Sequence, residues 1–149
     1  MIKQAIIFIG IQASGKTTFY NKYFSNYLHI NLDTLHTRNK ELKLLEECIE
    51  QGRSFVVDNT NPMKDDRAKY ITKAKEHGYT ILGYYFRSSI SESIKRNETR
   101  SGKARIPEAA IANTSNKLEL PTFDEGFNEL HYVHIQNNEF IIEDWDDSI

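Results

Sequence analysis

The chain has 149 residues, about one domain's worth, with 39% hydrophobic and 27% charged residues, the balance of a soluble globular protein that needs no disulfide to fold. Its 19 Lys and Arg nearly cancel 21 Asp and Glu, leaving a net charge of −2, so broad coating of a polyanion is not expected. A single cysteine, Cys48, excludes an internal disulfide framework and fits a reducing, cytoplasmic setting. No apolar run approaches the roughly 18 residues of a membrane span, and the run at 6–9 is too short for a signal sequence.

In chain order, Ala5 to Ile9 is a continuous apolar run, the mark of a strand buried on both faces. A helix is predicted from about Lys16, and a short strand over Tyr27 to Ile30. Leu42, Leu45 and Ile49 recur at helical spacing within a predicted helix over Leu35 to Ile49, which stops near Gly52. Phe55 to Val57 reads as a third strand, Lys64 to His77 as a polar helix ended by Gly78, and Thr80 to Phe86 as a fourth strand. A helix over Ser91 to Asn97 and another opened by Pro107 follow, then a strand over Tyr132 to Ile135 and a candidate edge strand over Glu139 to Ile142. Alternating strands and helices predict an α/β domain, with ligands outside the carboxyl ends of the parallel strands.

The first of those ends carries the strongest motif. Gly10-Ile11-Gln12-Ala13-Ser14-Gly15-Lys16-Thr17 matches the phosphate-loop pattern G-x-x-x-x-G-K-[ST] in full. Gly10 and Gly15 permit backbone conformations that a side chain would block. The N–H groups of Gln12, Ala13, Ser14 and Thr18, with the helix N-terminus, suit nucleotide phosphates. Lys16 adds a full positive charge near the β and γ phosphates of ATP, and Thr17 offers a hydroxyl for Mg²⁺. The expected architecture is therefore a P-loop three-layer sandwich, with a parallel sheet of about five strands and helices on both faces.

Two carboxylates stand at the next strand ends. Asp33, just past the second strand, is placed to take the proton of an attacking hydroxyl, and equally placed to cap a helix beginning near Thr34. Asp58 ends the third strand, where an Asp after apolar residues suits a Mg²⁺ site; the Asn59-Thr60-Asn61-Pro62 that follows also reads as a turn. Asn59, Thr60 and Asn61 are candidates for substrate hydrogen bonds.

The near-neutral total hides a difference. Residues 87–105 carry six Lys or Arg against two acids, whereas residues 118–149 carry nine acids and no Lys or Arg. Arg96 and Arg100, four apart, share one helix face, and Ser101-Gly102 permits a bend beyond them. This segment reads as a basic lid, about 96–107, over bound ATP. The acidic tail, about 136–149, is expected to be a solvated terminus. Tyr132 and Trp145 are expected to pack rather than stack on bases, and His134 to be structural.

Together the phosphate loop, Asn31-Leu32-Asp33, Asp58-Asn59-Thr60-Asn61-Pro62, and Lys95-Arg96-Asn97 with Arg100 resemble the kinase domain of 5′-hydroxyl polynucleotide kinases, over roughly residues 3–107. The resemblance implies transfer of the γ-phosphate of ATP to the 5′-hydroxyl end of DNA or RNA, with Mg²⁺. It implies Asp33 as general base, Lys16 and Thr17 on phosphate and metal, Arg100 as the lid arginine and Arg96 as an ATP contact. The family's phage member carries an arginine three residues after the catalytic Asp, facing the acceptor phosphate. Here that position is His36, and the nearest arginine is Arg38. No Asp-x-Asp motif of the haloacid-dehalogenase type is identified near a predicted strand end, so 3′-phosphatase activity is not expected. A kinase of a small-molecule acceptor is the second reading, and a nucleotide-binding switch without transfer the third. Oligomeric state is open, and the whole of 1–149 is expected to be one kinase domain.

Overall fold

The structure, a computed structural model, describes residues 2–102, 105–146 and 148–149. Lys103 and Ala104 of the expected lid, and Asp147 of the expected tail, lie outside the described residues. The strands are β1 (Gln4–Ile9), β2 (Leu28–Ile30), β3 (Phe55–Val57), β4 (Thr80–Phe86), β5 (Glu129–Gln136) and β6 (Glu139–Asp144). The helices are α1 (Lys16–Tyr23), α2 (Leu32–Leu35), α3 (Arg38–Glu50), α4 (Lys64–Glu76), α5 (Ile90–Glu98) and α6 (Glu108–Lys117), with a 3₁₀ turn at Phe123–Glu125.

The strands form one sheet in the order β2-β3-β1-β4-β5-β6, and all pair in parallel except the β5–β6 edge. Strand β1 is central, and its continuous apolar run is explained by burial on both sides. Ala5, Ile7 and Ile9 pack with Leu45, Cys48 and Ile49 of α3 and Tyr70, Ile71 and Ala74 of α4. Ile6 and Phe8 pack on the other face with Phe19 and Tyr20 of α1, together with Val56, Leu82, Phe86 and Val133. Phe8, Phe19 and Phe86 lie within 5.0–5.8 Å of one another in edge-to-face contacts. Each such fully buried ring contributes about 1.5–3 kcal/mol by leaving water. Gly83 lets β4 and β5 approach, because a β-carbon there would lie 2.6 Å from Leu130.

The sheet has six strands rather than about five, because the acidic tail is not a loose terminus. Residues 139–144 pair antiparallel with β5, with His134 against Ile141 and Ile135 against Phe140. Alternation explains this: Phe140 packs against the α1-side core while Glu139 and Glu143, on the other face, stay exposed. Strand β6 also runs two residues further than predicted, so Asp144-Trp145-Asp146 does place an Asp-x-Asp triplet at a strand end. Because β6 is antiparallel, that triplet lies at the amino ends of the parallel strands, away from the phosphate loop at their carboxyl ends, with the Asp144 carboxylate 3.9 Å from His131. Tyr132 and Trp145 pack on Tyr85, at ring separations of 6.0 and 5.8 Å.

The predicted helix over Leu35 to Ile49 is two helices. His36 adopts φ 70°, closing α2, and Thr37 opens α3 by accepting a hydrogen bond from the Lys40 N–H at 3.2 Å. A β-branched hydroxyl residue at that point is a stronger helix start than the apolar periodicity could show. No described helix is long and apolar enough to cross a membrane.

Candidate active site

The parallel order brings the carboxyl ends of β1, β2 and β3 side by side, and a cleft of about 480 Å³ opens over them. Gln12, Ala13, Lys16 and Thr17 of the phosphate loop form one wall. Asn31, Leu32, Asp33 and Arg38 form a second, and 58–63 the floor. Arg100 and Ile106 close over it, with Thr114 and Lys117 of α6.

The loop is held by its own geometry. Gly15 sits at φ 97°, and α1 begins without a side-chain cap, so its first N–H groups face outward. A β-carbon at Gly15 would lie 3.1 Å from Phe140, so β6 props the loop from behind. Gly10 donates its N–H to the Thr60 carbonyl at 3.0 Å. Buried Lys16 curls back onto the loop, donating to the carbonyls of Gly10 at 3.0 Å and Ile11 at 2.7 Å and to Ser14 Oγ at 3.3 Å. Burial lowers the Lys16 ammonium from its ordinary 10.5 to about 8. Asp58 and Asp33 pull it up and Arg100 pushes it further down, so four groups of the cleft share one electrostatic field.

Asp58 is 2% exposed and accepts from Thr17 Oγ1 at 2.8 Å. A hydroxyl and one carboxylate, both hard oxygen donors, fit Mg²⁺, which takes few protein ligands and completes its shell with phosphate and water. The same Asp58 oxygen lies 2.8 Å from His29 Nε2, and the His29 ring stacks on Tyr20 at 3.9 Å. His29 was not anticipated as a site residue, because its lone position on a short strand carries no spacing signal.

Asp33 is not the cap of its helix. Asn31 is, its Oδ1 accepting from Thr34 N–H at 3.1 Å. Asp33 stands exposed in the first turn, and no hydrogen bond among the described residues occupies its carboxylate. Of the two residues weighed for the acceptor, Arg38 lines the cleft and exposed His36 does not. Thr60 also lines it. The amides of Asn59 and Asn61 are committed elsewhere. Asn59 donates to Glu41 Oε2 at 2.8 Å and accepts from Leu32 N–H at 2.9 Å, and Asn61 donates to the Phe8 carbonyl at 2.8 Å. Their order in the sequence is that of turn formers, and a linear pattern cannot separate an amide facing substrate from one facing backbone. Arg67, 0% exposed, fixes the same turn, donating to the Asn61 carbonyl at 3.0 Å and pairing with Glu125 at 2.8 Å.

Thr18 is exposed and outside the cleft lining. Arg96 donates to the Ala13 carbonyl at 3.3 Å and so backs the phosphate loop. Asn97 closes the ends of the arginine-bearing segment: its Oδ1 accepts from Ile106 N–H at 2.7 Å and its amide donates to the Ile106 carbonyl. Gln12 donates to Thr114 Oγ1 at 2.9 Å, which ties the loop to α6. The contribution of α6 was not legible, since Thr114 and Lys117 belong to no motif.

Fold and site together define a P-loop kinase domain. The chain belongs to the AAA domain family, whose model matches residues 6–121. It is 28% identical, over 88% of its length, to the bifunctional polynucleotide phosphatase/kinase of Schizosaccharomyces pombe, and covers 33% of that protein. It is 25% identical to the L-seryl-tRNA(Sec) kinase of Methanococcus maripaludis, over 78% of this chain and 52% of that one. The chain thus spans about a third to a half of these curated relatives. Among solved structures it resembles Chaetomium thermophilum Kti12 in complex with ADP-AlF3, with a TM-score of 0.71, 17% identity and 91% of each chain covered.

Proposed function

We propose that this chain transfers the γ-phosphate of ATP to the 5′-hydroxyl end of a polynucleotide. The observation that carries the reading is Asp33: an exposed carboxylate, relieved of capping by Asn31, in the same cleft as Lys16, Thr17 and Asp58. A nucleotide switch has no use for a carboxylate left open at that place. The similarity to a polynucleotide phosphatase/kinase supports a nucleic-acid acceptor.

The acceptor hydroxyl oxygen forms a bond to the γ-phosphorus as the bond to the β–γ bridging oxygen breaks, and ADP leaves. Asp33 takes the hydroxyl proton. Lys16, freed from the Gly10 and Ile11 carbonyls, neutralises the phosphate oxygens, and Arg100 meets the charge that develops in the transition state. Thr17 and Asp58 are the residues that would hold Mg²⁺, and the ion would supply further neutralisation of the phosphates. Arg96 holds the loop backbone rather than reaching into the cleft, and Arg100 and Ile106 border the space for the nucleotide. A small-alcohol acceptor is the second reading, favoured by one observation: His36, where the phage member has its acceptor-phosphate arginine, is not part of the cleft.

The test is incubation with γ-labelled ATP, Mg²⁺ and a panel of 5′-hydroxyl DNA and RNA oligonucleotides, nucleosides and sugars. Label is expected on the oligonucleotides and lost with Lys16→Ala. Arg100→Ala is expected to slow transfer about 10³-fold. Label on nucleosides or sugars alone would replace the leading reading with the second.

A further inference from the structure

Outside the reacting groups, one buried charge is joined to the acceptor side of the cleft by two separate routes. Glu41, in the first turn of α3, is 2% exposed. Its Oε1 accepts from Tyr70 Oη at 2.6 Å and from Arg38 Nη1 at 3.2 Å, with Lys69 Nζ 3.7 Å away. Its Oε2 accepts from Asn59 Nδ2 at 2.8 Å. Burial pushes the Glu41 carboxyl up, but the hydrogen bonds from Tyr70 and Asn59 and the charges of Arg38 and Lys69 hold it below the ordinary range. It is therefore ionised at neutral pH.

A buried ion is a poor way to stabilise a fold, because its desolvation costs as much as its pairing returns. The contacts of Glu41 lead somewhere more specific. Through Asn59, whose Oδ1 accepts the Leu32 N–H at 2.9 Å, it holds the backbone immediately before Asp33. Through Arg38 it holds the guanidinium that lines the cleft, using one of that group's five donors.

We infer that Glu41 is the positioning residue of the acceptor side, setting the Asp33 turn through Asn59 and aiming Arg38 at the phosphate of the incoming acceptor. This rests on the reading above for Asp33 as base and for a phosphate-bearing acceptor. Glu41 touches no substrate; it acts through its two partners. Lys69 and Tyr70, from α4, complete the hub and tie both routes to the α4 side of the core.

The decisive variant is Glu41→Gln. A carboxylate accepts from every converging donor, but an amide has one acceptor oxygen and brings a donor of its own. If that oxygen faces Asn59, Arg38 loses its carboxylate partner and keeps only the 3.4 Å bond to Tyr70 Oη. If it faces Arg38, the new NH₂ meets the Asn59 amide and the Leu32 N–H loses its acceptor. One route breaks in either case. With the full chain, labelled ATP and a 5′-hydroxyl oligonucleotide, the acceptor KM is expected to rise about tenfold to a hundredfold while the KM for ATP stays at the wild-type value. In an Arg38→Ala background the same substitution is expected to add less than it does alone. Amide exchange at Leu32, compared with amides of β1, reports the Asn59 route without any substrate.

An acceptor KM and a Leu32 exchange rate both at wild-type values would overturn the assignment. So would a parallel rise in both KM values with a lowered melting temperature, the mark of a merely structural residue. If the unaltered protein labels no polynucleotide, the acceptor reading fails. Leu32 exchange then decides on its own whether Glu41 sets the Asp33 turn: faster exchange in Glu41→Gln supports that role, and unchanged exchange removes it.

Discussion

The two carboxylates of the cleft are built in opposite ways. Asp58 is buried, bonded to Thr17 and 2.8 Å from His29, whereas Asp33 is exposed and its carboxylate makes no hydrogen bond among the described residues. The donor side around Asp58 is set in advance by backbone and core, as electrostatic preorganisation requires. The side around Asp33 is an open shelf, its turn bonded through Asn59 to buried Glu41. The phosphate-loop side is thus rigid, and the shelf proposed to receive the acceptor is exposed.

Substitution of the two carboxylates tests that contrast most strongly. Asp33→Ala is expected to cost about 10³-fold in transfer rate and less than about 0.5 kcal/mol in stability, because an exposed, unbonded side chain contributes little to folding. Asp58→Ala is expected to abolish transfer as well and to lower stability by about 1–3 kcal/mol, since it strands the Thr17 hydroxyl and the His29 ring. Rate assays beside thermal unfolding separate the two, and equal stability losses would break the comparison.

Smaller effects refine the acceptor side. Arg38→Ala is expected to raise the acceptor KM about tenfold by removing one charge-assisted contact, with ATP affinity unchanged. His36→Ala is expected to leave both constants as they are, because His36 lies outside the cleft. Steady-state kinetics on one oligonucleotide decide between them, and a larger effect at His36 would restore it to the site.

The smallest effect belongs to Lys16. Its folded value of about 8 lies below the ordinary 10.5, so between those two pH values the unfolded chain binds more protons and stability rises with pH. Phosphates drawn against Lys16 restore the charged form. ATP binding at about pH 9 is therefore expected to take up a fraction of a proton, visible by calorimetry in buffers of different ionisation enthalpy. No uptake, or uptake that persists in Lys16→Met, would place the proton elsewhere.

Much of this was legible in the residues. The apolar run before Gly10, the spacing to Gly15-Lys16-Thr17, and Asp58 after Phe55-Val56-Val57 are local patterns with local causes, and the structure places them in one cleft. His29 and Glu41 were not legible. Each acts through a contact far along the chain, 29 residues from His29 to Asp58 and 29 from Glu41 to Tyr70, and neither stands in a motif. Asp33 was legible as a position, but its own residue type suits capping and catalysis alike. The structure gives the cap to Asn31, which removes the capping reading of Asp33. The acidic C-terminal stretch was legible as a candidate edge strand over Glu139 to Ile142 but not as a support of the phosphate loop, because the contact of Phe140 with Gly15 joins residues far apart in the chain.

By itself, then, the sequence determined the α/β sandwich and the phosphate loop, because strand burial, helix starts and glycine-dependent turns are set by neighbours within a few residues. The tertiary structure alone decided which carboxylate is hydrogen-bonded and which, among the described residues, is not, which amides serve the backbone, and that the candidate strand at the acidic end pairs with β5. Those outcomes depend on which side chains become buried together, and burial is a property of the packed chain rather than of any segment of it.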